Sequence, residues 1–168
     1  MNDKTEADVR RDFRNCLGSF VTGVTVVTTR DENKNPRGLV VNSFASVSLD
    51  PPLVSWNIGL KSPSLKAFMD HGAFAVNIMG HGSQETTMRF ARSIEDKFDG
   101  VDWHDGELGL PLLNDAVATL VCETEKTITL GDHEMFVGRV VQFNEEDRPP
   151  LVFHRGAFTE LAEKQGIA

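Results

Sequence analysis

The chain has 168 residues, 40% of them hydrophobic, which is enough for one domain of this size to bury a core. Its 17 Lys and Arg against 25 Asp and Glu leave a net charge of −8. That balance argues against a nucleic-acid or anionic-membrane binder, both of which need a basic face. No run approaches the roughly 18 apolar residues of a membrane-spanning helix, and the start MNDKTEADVRRDF lacks the apolar middle of a secretion signal. Cys16 and Cys122 stand apart, with no CxxC pair, so neither a disulfide framework nor a zinc site is expected. A cytoplasmic globular protein is the expectation.

In chain order, Val9, Phe13, Cys16 or Leu17, and Phe20 recur at spacings of three and four and predict a first helix. Thr5 with Asp8 forms a capping pair at its start, and Gly18 ends it. Val21 to Thr29 is dense in β-branched residues and predicts a strand. The polar turn Asp31 to Pro36 leads to a paired strand, Gly38 to Ser48, which Asp50-Pro51-Pro52 breaks before a third strand, Leu53 to Ile58. Ser62-Pro63 predicts a helix start, and Gly72 its end. Phe74 to Met79 predicts a fourth strand, and Ser83 caps a short helix carrying Met88, Phe90 and Ala91. Residues 93–114, rich in Asp and Gly, predict an irregular excursion. Ala116 to Leu130, Glu134 to Phe143 and Leu151 to Phe153 are strand-like. Many strands and few helices predict a closed antiparallel β-barrel with helical decorations.

The common catalytic signatures are missing: no GxGxxG follows a first strand, no P-loop lysine, GxSxG elbow or HExxH occurs, and the five histidines form no close ligand pair, so no metal site is predicted. Four features could carry binding chemistry. As one strand, Asn42 to Ser48 places Asn42, Phe44, Ser46 and Ser48 on one face and Ser43, Ala45 and Val47 on the other. Such a wall suits a polar ligand with a flat heterocycle and a phosphate, and equally a solvent-facing edge strand. Lys61, Ser62 and Ser64 at a helix start offer a cation, hydroxyls and free amides to a phosphate, or simply cap the helix. Arg89, Arg92 and Lys97 cluster in an acidic chain, and Arg89 beside Phe90 offers a cation next to a stacking ring; alternatively Phe90 is core and Arg89 a surface charge. Gly131-Asp132-His133 forms a turn whose histidine could bind or shuttle, or simply lie exposed.

In order and spacing, several blocks resemble the flavin reductase family, the reductase components of two-component flavin-dependent monooxygenases. They are FVTGVTVVTT, PRGLVVNSFASVSLDPPLVSWNI, KSPSLKAF, FAVNIM, RFA, DKFDGVDW, GDHEMFVGRV and PLVFHRGAF. The resemblance runs from about Phe13 to Leu161 and implies a single flavin reductase-like domain over residues 1–168. The implied fold is mainly β: an antiparallel split β-barrel with a few short helices, usually a homodimer. The implied activity is hydride transfer from NADH or NADPH to FMN or FAD, with the reduced flavin passed to a separate oxygenase. No nucleic-acid or membrane partner is implied. Carried over by position, Asn42, Ser43, Ala45, Ser46, Val47 and Ser48 would line the flavin, and Lys61, Ser62 and Ser64 would hold its phosphate. Asn77 would lie near the ring, Arg89 and Phe90 near the phosphate and outer parts, and His133 would face the nicotinamide as the catalytic position. Two other functions share this barrel: a reductase that keeps its flavin and acts on a metal centre or corrinoid, and a non-catalytic flavin-binding module. The apolar Val40-Val41 before Asn42, the His81-Gly82-Ser83 loop and the absence of tyrosine depart from the family pattern and bear on flavin preference.

Overall fold

The computed structural model describes residues 4–162. Its helices are α1 (Glu6–Leu17), α2 (Leu65–His71) and α3 (Gln84–Ala91). The strands are β1 (Thr22–Gly23), β2 (Thr25–Arg30), β3 (Pro36–Val41), β4 (Ala45–Leu49), β5 (Pro52–Gly59), β6 (Ala73–Met79), β7 (Trp103–Asp105), β8 (Pro111–Leu113), β9 (Ala116–Leu130), β10 (His133–Glu145), β11 (Val152–His154) and β12 (Ala157–Thr159). Seven strands form one antiparallel sheet in the order β3-β2-β6-β9-β10-β5-β4. A second sheet has the order β1-β11-β12, and β7 pairs with β8. No described helix is long and apolar enough to cross a membrane.

The sheet order forces curvature. Its two outermost strands, β3 and β4, are consecutive in the chain and joined only by Asn42, Ser43 and Phe44. In a flat sheet six inter-strand gaps would set them roughly 29 Å apart. The four Cα steps from Val41 to Ala45 reach at most about 15 Å. The sheet therefore curls until its ends meet, and Ser43 pins the seam. The Asn57 backbone N–H of β5 donates to Ser43 Oγ at 2.9 Å, and the same hydroxyl lies 3.4 Å from the Asn57 carbonyl.

Curling encloses an aromatic core. Burial along β5 alternates, with Val54, Trp56 and Ile58 turned inward. Trp56 stacks on Phe136 of β10 at 4.8 Å and meets the edges of Phe68 and Phe74 at 4.9 and 5.5 Å. Each of these fully buried rings stabilises the fold by about 1.5–3 kcal/mol. A second apolar cluster unites Val24, Val26, Met79, Phe90, Phe98, Leu113 and Leu151. β2 lies between the clusters and is buried along nearly its whole length, so its run does not alternate. Its three buried threonines donate to the carbonyls of Val41, Pro111 and Ala73. Cys122 is buried in the barrel, and burial pushes its thiol up to about 12; Cys16 is exposed on α1.

Several expectations need correction. The strand predicted over Val21 to Thr29 divides at Val24, with β1 pairing β11 and β2 joining the main sheet. The strand predicted over Gly38 to Ser48 breaks at the seam, and a register shift between Ser46 and Ser48 adds a bulge. The proposed division into two faces therefore fails, and Phe44 packs against the barrel core. α2 begins at Leu65, two residues beyond Pro63, and neither Ser64 nor Ser83 caps a helix through its side chain. α1 has the expected Thr5–Asp8 capping box and its C-cap at Gly18, yet its apolar residues lie in solvent, with Phe13 63% exposed. β7, β8 and β12 were not foreseen.

Gly138 sits where β10 shifts register against β9. A Cβ there would stand 2.4 Å from Phe74 Cζ and 2.9 Å from Cys122 Cβ, both fixed in the core. Gly138→Ala should lower the free energy of unfolding by about 1–3 kcal/mol, the usual cost of overpacking. Urea denaturation checks this; an unchanged midpoint and slope would show that the core yields at this point.

Candidate functional site

Two hollows meet along β3. The larger, of 780 Å³, lies between β3, the residues leading into α2, and the end of α3 with the segment that follows it. The smaller, of 460 Å³, opens at the seam among Asn42, Ser43, Asn57, Gly59 and His133. Leu39 and Val40 line both, so the two hollows adjoin along β3, with apolar residues between the polar groups at their far ends. Each volume lies in the range of small-molecule sites. Together they fit a flat ring joined to a polar chain and phosphate: Leu39, Val40, Val41 and Ile58 offer apolar wall, and hydroxyls and cations lie beyond it.

The seam end is built by hairpin geometry. Gly131, with φ 60°, and Asp132 make a two-residue connection between β9 and β10. His133 is thus the first residue of β10, opposite Leu130 and Gly59, rather than part of the turn. Its Nδ1 lies 2.7 Å from Asp132 Oδ1. This hydrogen bond, and then the charge of His133, hold the Asp132 carboxyl below the usual carboxylate range. Asn42 and Ser43 line the same hollow, although the Ser43 hydroxyl is already engaged at the seam. Ala45, Ser46, Val47 and Ser48 are outside both linings. From Ser43, opposite Asn57, the chain runs along β5 past Ser55 towards Leu53, away from His133.

At the other end, Ser62 and Ser64 line the larger hollow, but Lys61 is exposed outside it. The free amides expected of a helix start are partly spent. Ser62 N–H donates to the Gly59 carbonyl and Leu65 N–H to that of Ser62, since a tight turn precedes α2. Asn77 is a correction too. It is fully buried, its amide donating to the Val26 carbonyl and Thr28 Oγ1 while its Oδ1 accepts from Leu113 N–H. It ties β6 to β2 and β8 and has no polar atom left for a ligand. Phe90 is wholly buried, edge-on to Phe98 at 4.9 Å, and forms hollow floor and core rather than an exposed stacking ring. Arg89 turns away from the hollow, donating to the carbonyls of Lys97 and Asp96 and pairing with Asp99 at 3.4 Å.

Four cations line the larger hollow: Arg92 and Lys97, which the sequence reading grouped with Arg89, and Arg37 and Lys66, which it missed. Arg37 pairs with Asp31 at 2.7 Å, and Lys66 pairs with Asp70 and, at 3.6 Å, with Glu32. Lys97 donates to the Phe90 carbonyl at 2.7 Å, and burial draws its pKa below the ordinary lysine value. Arg92 is exposed and forms no ion pair among the described residues. The Arg89, Arg92 and Lys97 cluster held the clue. α3 ends at Ala91, so Arg92, in extended backbone, leaves the helix and turns into the cleft.

Residues 17–162 match the family model described as "Flavin reductase like domain". The reductase subunit HsaB of a flavin-dependent monooxygenase from Rhodococcus jostii is 41% identical over 157 residues, covering 93% of this chain and 80% of that protein. The FMN reductase (NADH) SmoA of Agrobacterium fabrum is 40% identical over 154 residues, covering 92% and 87%. The NADH:FAD oxidoreductase SgcE6 of Streptomyces globisporus, solved with NAD and FAD fragments, superposes with a TM-score of 0.90 at 36% identity, covering 98% and 99%. Against a longer relative from Rhizobium meliloti, 38% identical, the chain spans 48% of that protein's length.

Arg89 and Arg92 can be told apart with FMN as a phosphate-bearing probe and riboflavin as its phosphate-free control. Arg92→Ala should weaken FMN binding by about 1–2 kcal/mol and riboflavin binding little, as for one charge-assisted contact near solvent. Arg89→Ala should leave both affinities in place and lower the melting temperature, because it unties the 96–99 segment. Titration by fluorescence quenching measures both; equal weakening of FMN and riboflavin by Arg92→Ala would remove Arg92 from the phosphate site.

Proposed function

The chain belongs to the flavin reductase family, and from that premise we propose that it oxidises NADH or NADPH, reduces FMN or FAD, and releases the reduced flavin to a separate monooxygenase. The observation that carries this reading is the pair of adjoining hollows along β3, which share the apolar Leu39 and Val40 and carry polar groups at their far ends. When bound, the nicotinamide and flavin supply the hydride chemistry themselves. The protein's part is then to align them and exclude water.

On this reading Leu39, Val40 and Val41 form the wall against the flavin ring. Ser62, Ser64 and Arg92 hold the phosphate, and Asn42 and His133 border the nicotinamide. Ala45 to Ser48 contribute to the flavin site only if the ligand extends over the seam onto the edge strand. HsaB is named as the reductase subunit of a monooxygenase, and that name supports a separate oxygenase partner here. A homodimer is supported by the apolar surface left bare on one copy: Val9, Phe13 and Leu17 of α1, followed by Phe20, which is 77% exposed.

Turnover decides the activity. Mixed with NADH and catalytic amounts of the protein, free FMN or FAD should sustain steady NADH oxidation in air. Oxidation that stops after one equivalent of bound flavin would point to a reductase with another acceptor, and no oxidation to a binding module. Sedimentation at micromolar concentration should give about twice the 18.6 kDa chain mass; a monomer that turns over fully would overturn the dimer.

A further inference from the structure

The nicotinamide end of these hollows contains two features that the proposed activity does not by itself require. Asp132 places a carboxylate oxygen 2.7 Å from Nδ1 of His133. Gly59, directly opposite His133 on β5, is a glycine although its φ is not positive, so backbone conformation does not demand one. A Cβ built there would stand 3.9 Å from His133 Nε2, inside the hollow that both residues line. The missing side chain leaves clear space beside that nitrogen.

A carboxylate only accepts hydrogen bonds, so the ring nitrogen facing it carries the proton. In the neutral imidazole the other nitrogen, Nε2, is then an acceptor. The Asp132 carbonyl accepts from Leu60 N–H at 2.9 Å, which fastens the turn to the end of β5 and holds the carboxylate in register with the ring. We infer that Asp132 and Gly59 set how the hydride donor is recognised: Asp132 fixes His133 as an Nε2 acceptor, and Gly59 keeps open the space in which Nε2 receives an N–H of the nicotinamide carboxamide. Asp132 is thus a positioning residue acting through His133, and Gly59 a steric one. The inference rests on the reading of this hollow as the nicotinamide site.

The Asp132 side chain is 96% exposed and that of His133 51%, so replacing either should not disturb the fold. The experiment measures KM for NADH, kcat and flavin Kd for His133→Ala, Asp132→Ala, Asp132→Asn, the double alanine variant and Gly59→Ala. Each is also run with reduced 3-acetylpyridine adenine dinucleotide, in which a methyl replaces the carboxamide NH2. Asp132→Ala should raise the NADH KM about three- to tenfold, the value of one hydrogen bond, with flavin Kd unchanged. Asp132→Asn should recover most of that loss, because an amide oxygen still accepts from Nδ1–H. The double variant should be no worse than His133→Ala alone, since Asp132 acts only through the ring. With the acetylpyridine analogue, wild type, His133→Ala and Asp132→Ala should converge. Gly59→Ala should raise KM for both donors without altering flavin Kd. Normal kinetics in Asp132→Ala beside an impaired His133→Ala would overturn the inference and leave the nicotinamide reading standing, as would losses that multiply in the double variant. Normal kinetics in His133→Ala would overturn the nicotinamide reading itself.

Discussion

The three residues between β3 and β4 constrain the whole molecule. They join the first and last strands of a seven-stranded sheet, and no flat sheet can satisfy so short a link. Closure then decides which side chains face inward. It brings Trp56 of β5 onto Phe136 of β10 and against Phe68 and Phe74, and it leaves β2 buried on both faces. It also decides where binding can occur. A link this tight cannot continue the ladder, so a serine hydroxyl stands in for a strand neighbour at Asn57, and the sheet stays open beside it. The smaller hollow lies at this seam. Binding groups at its ends come from turns and element termini positioned by a rigid sheet, as in many folds.

Much of the fold was legible in the sequence because its signals were local. Thr5, Asp8 and Gly18 marked α1, Gly72 ended α2, and the limits of β9 were read to the residue. Apart from local boundaries such as the start of α2 and the end of the turn before His133, the failures concern non-local facts. Nothing in VTGVTVVTT shows that its first two strand residues belong to a different sheet, because β1 is defined by pairing with β11, about 130 residues later. The face assignment for Asn42 to Ser48 assumed unbroken alternation, which the link and the bulge at Val47 both interrupt. The apolar stripe of α1 was real, yet periodicity reports an apolar face without saying what covers it.

The candidate site was legible at its ends and obscure in its middle. His133, Asn42, Ser62 and Ser64 were found because polar residues beside turns carry a local signal. Leu39 and Val40 were not, since an apolar residue in a strand reads as core. Arg89 and Asn77 were misplaced for one reason: both are polar groups whose hydrogen bonds are met inside the protein, by the 96–99 segment and by β2 and β8. Most buried polar side chains are satisfied inside the protein, and satisfaction removes them from ligand binding. Sequence shows the polar group but not its partners, which come from elements far along the chain.

Charge in the larger hollow bears on what happens after reduction. Of its cations, Arg37 and Lys66 already face carboxylates, and Lys97 is tied to a backbone carbonyl. A phosphate entering there meets pairs that must rearrange, next to Asp31, Glu32 and Asp70, on a chain of net charge −8. Partly exposed pairs of this kind add little affinity even when they do rearrange, and the surrounding field opposes an anion. On the reading proposed above, flavin affinity comes mainly from ring burial against Leu39, Val40 and Val41, with Arg92 as the one lining cation whose side chain has neither a carboxylate nor a carbonyl partner among the described residues. Weak holding at the phosphate raises the dissociation rate more than it lowers the association rate. A protein that must hand reduced flavin to another enzyme is served by that imbalance, whereas one that kept its flavin as a prosthetic group would need the opposite arrangement of charge.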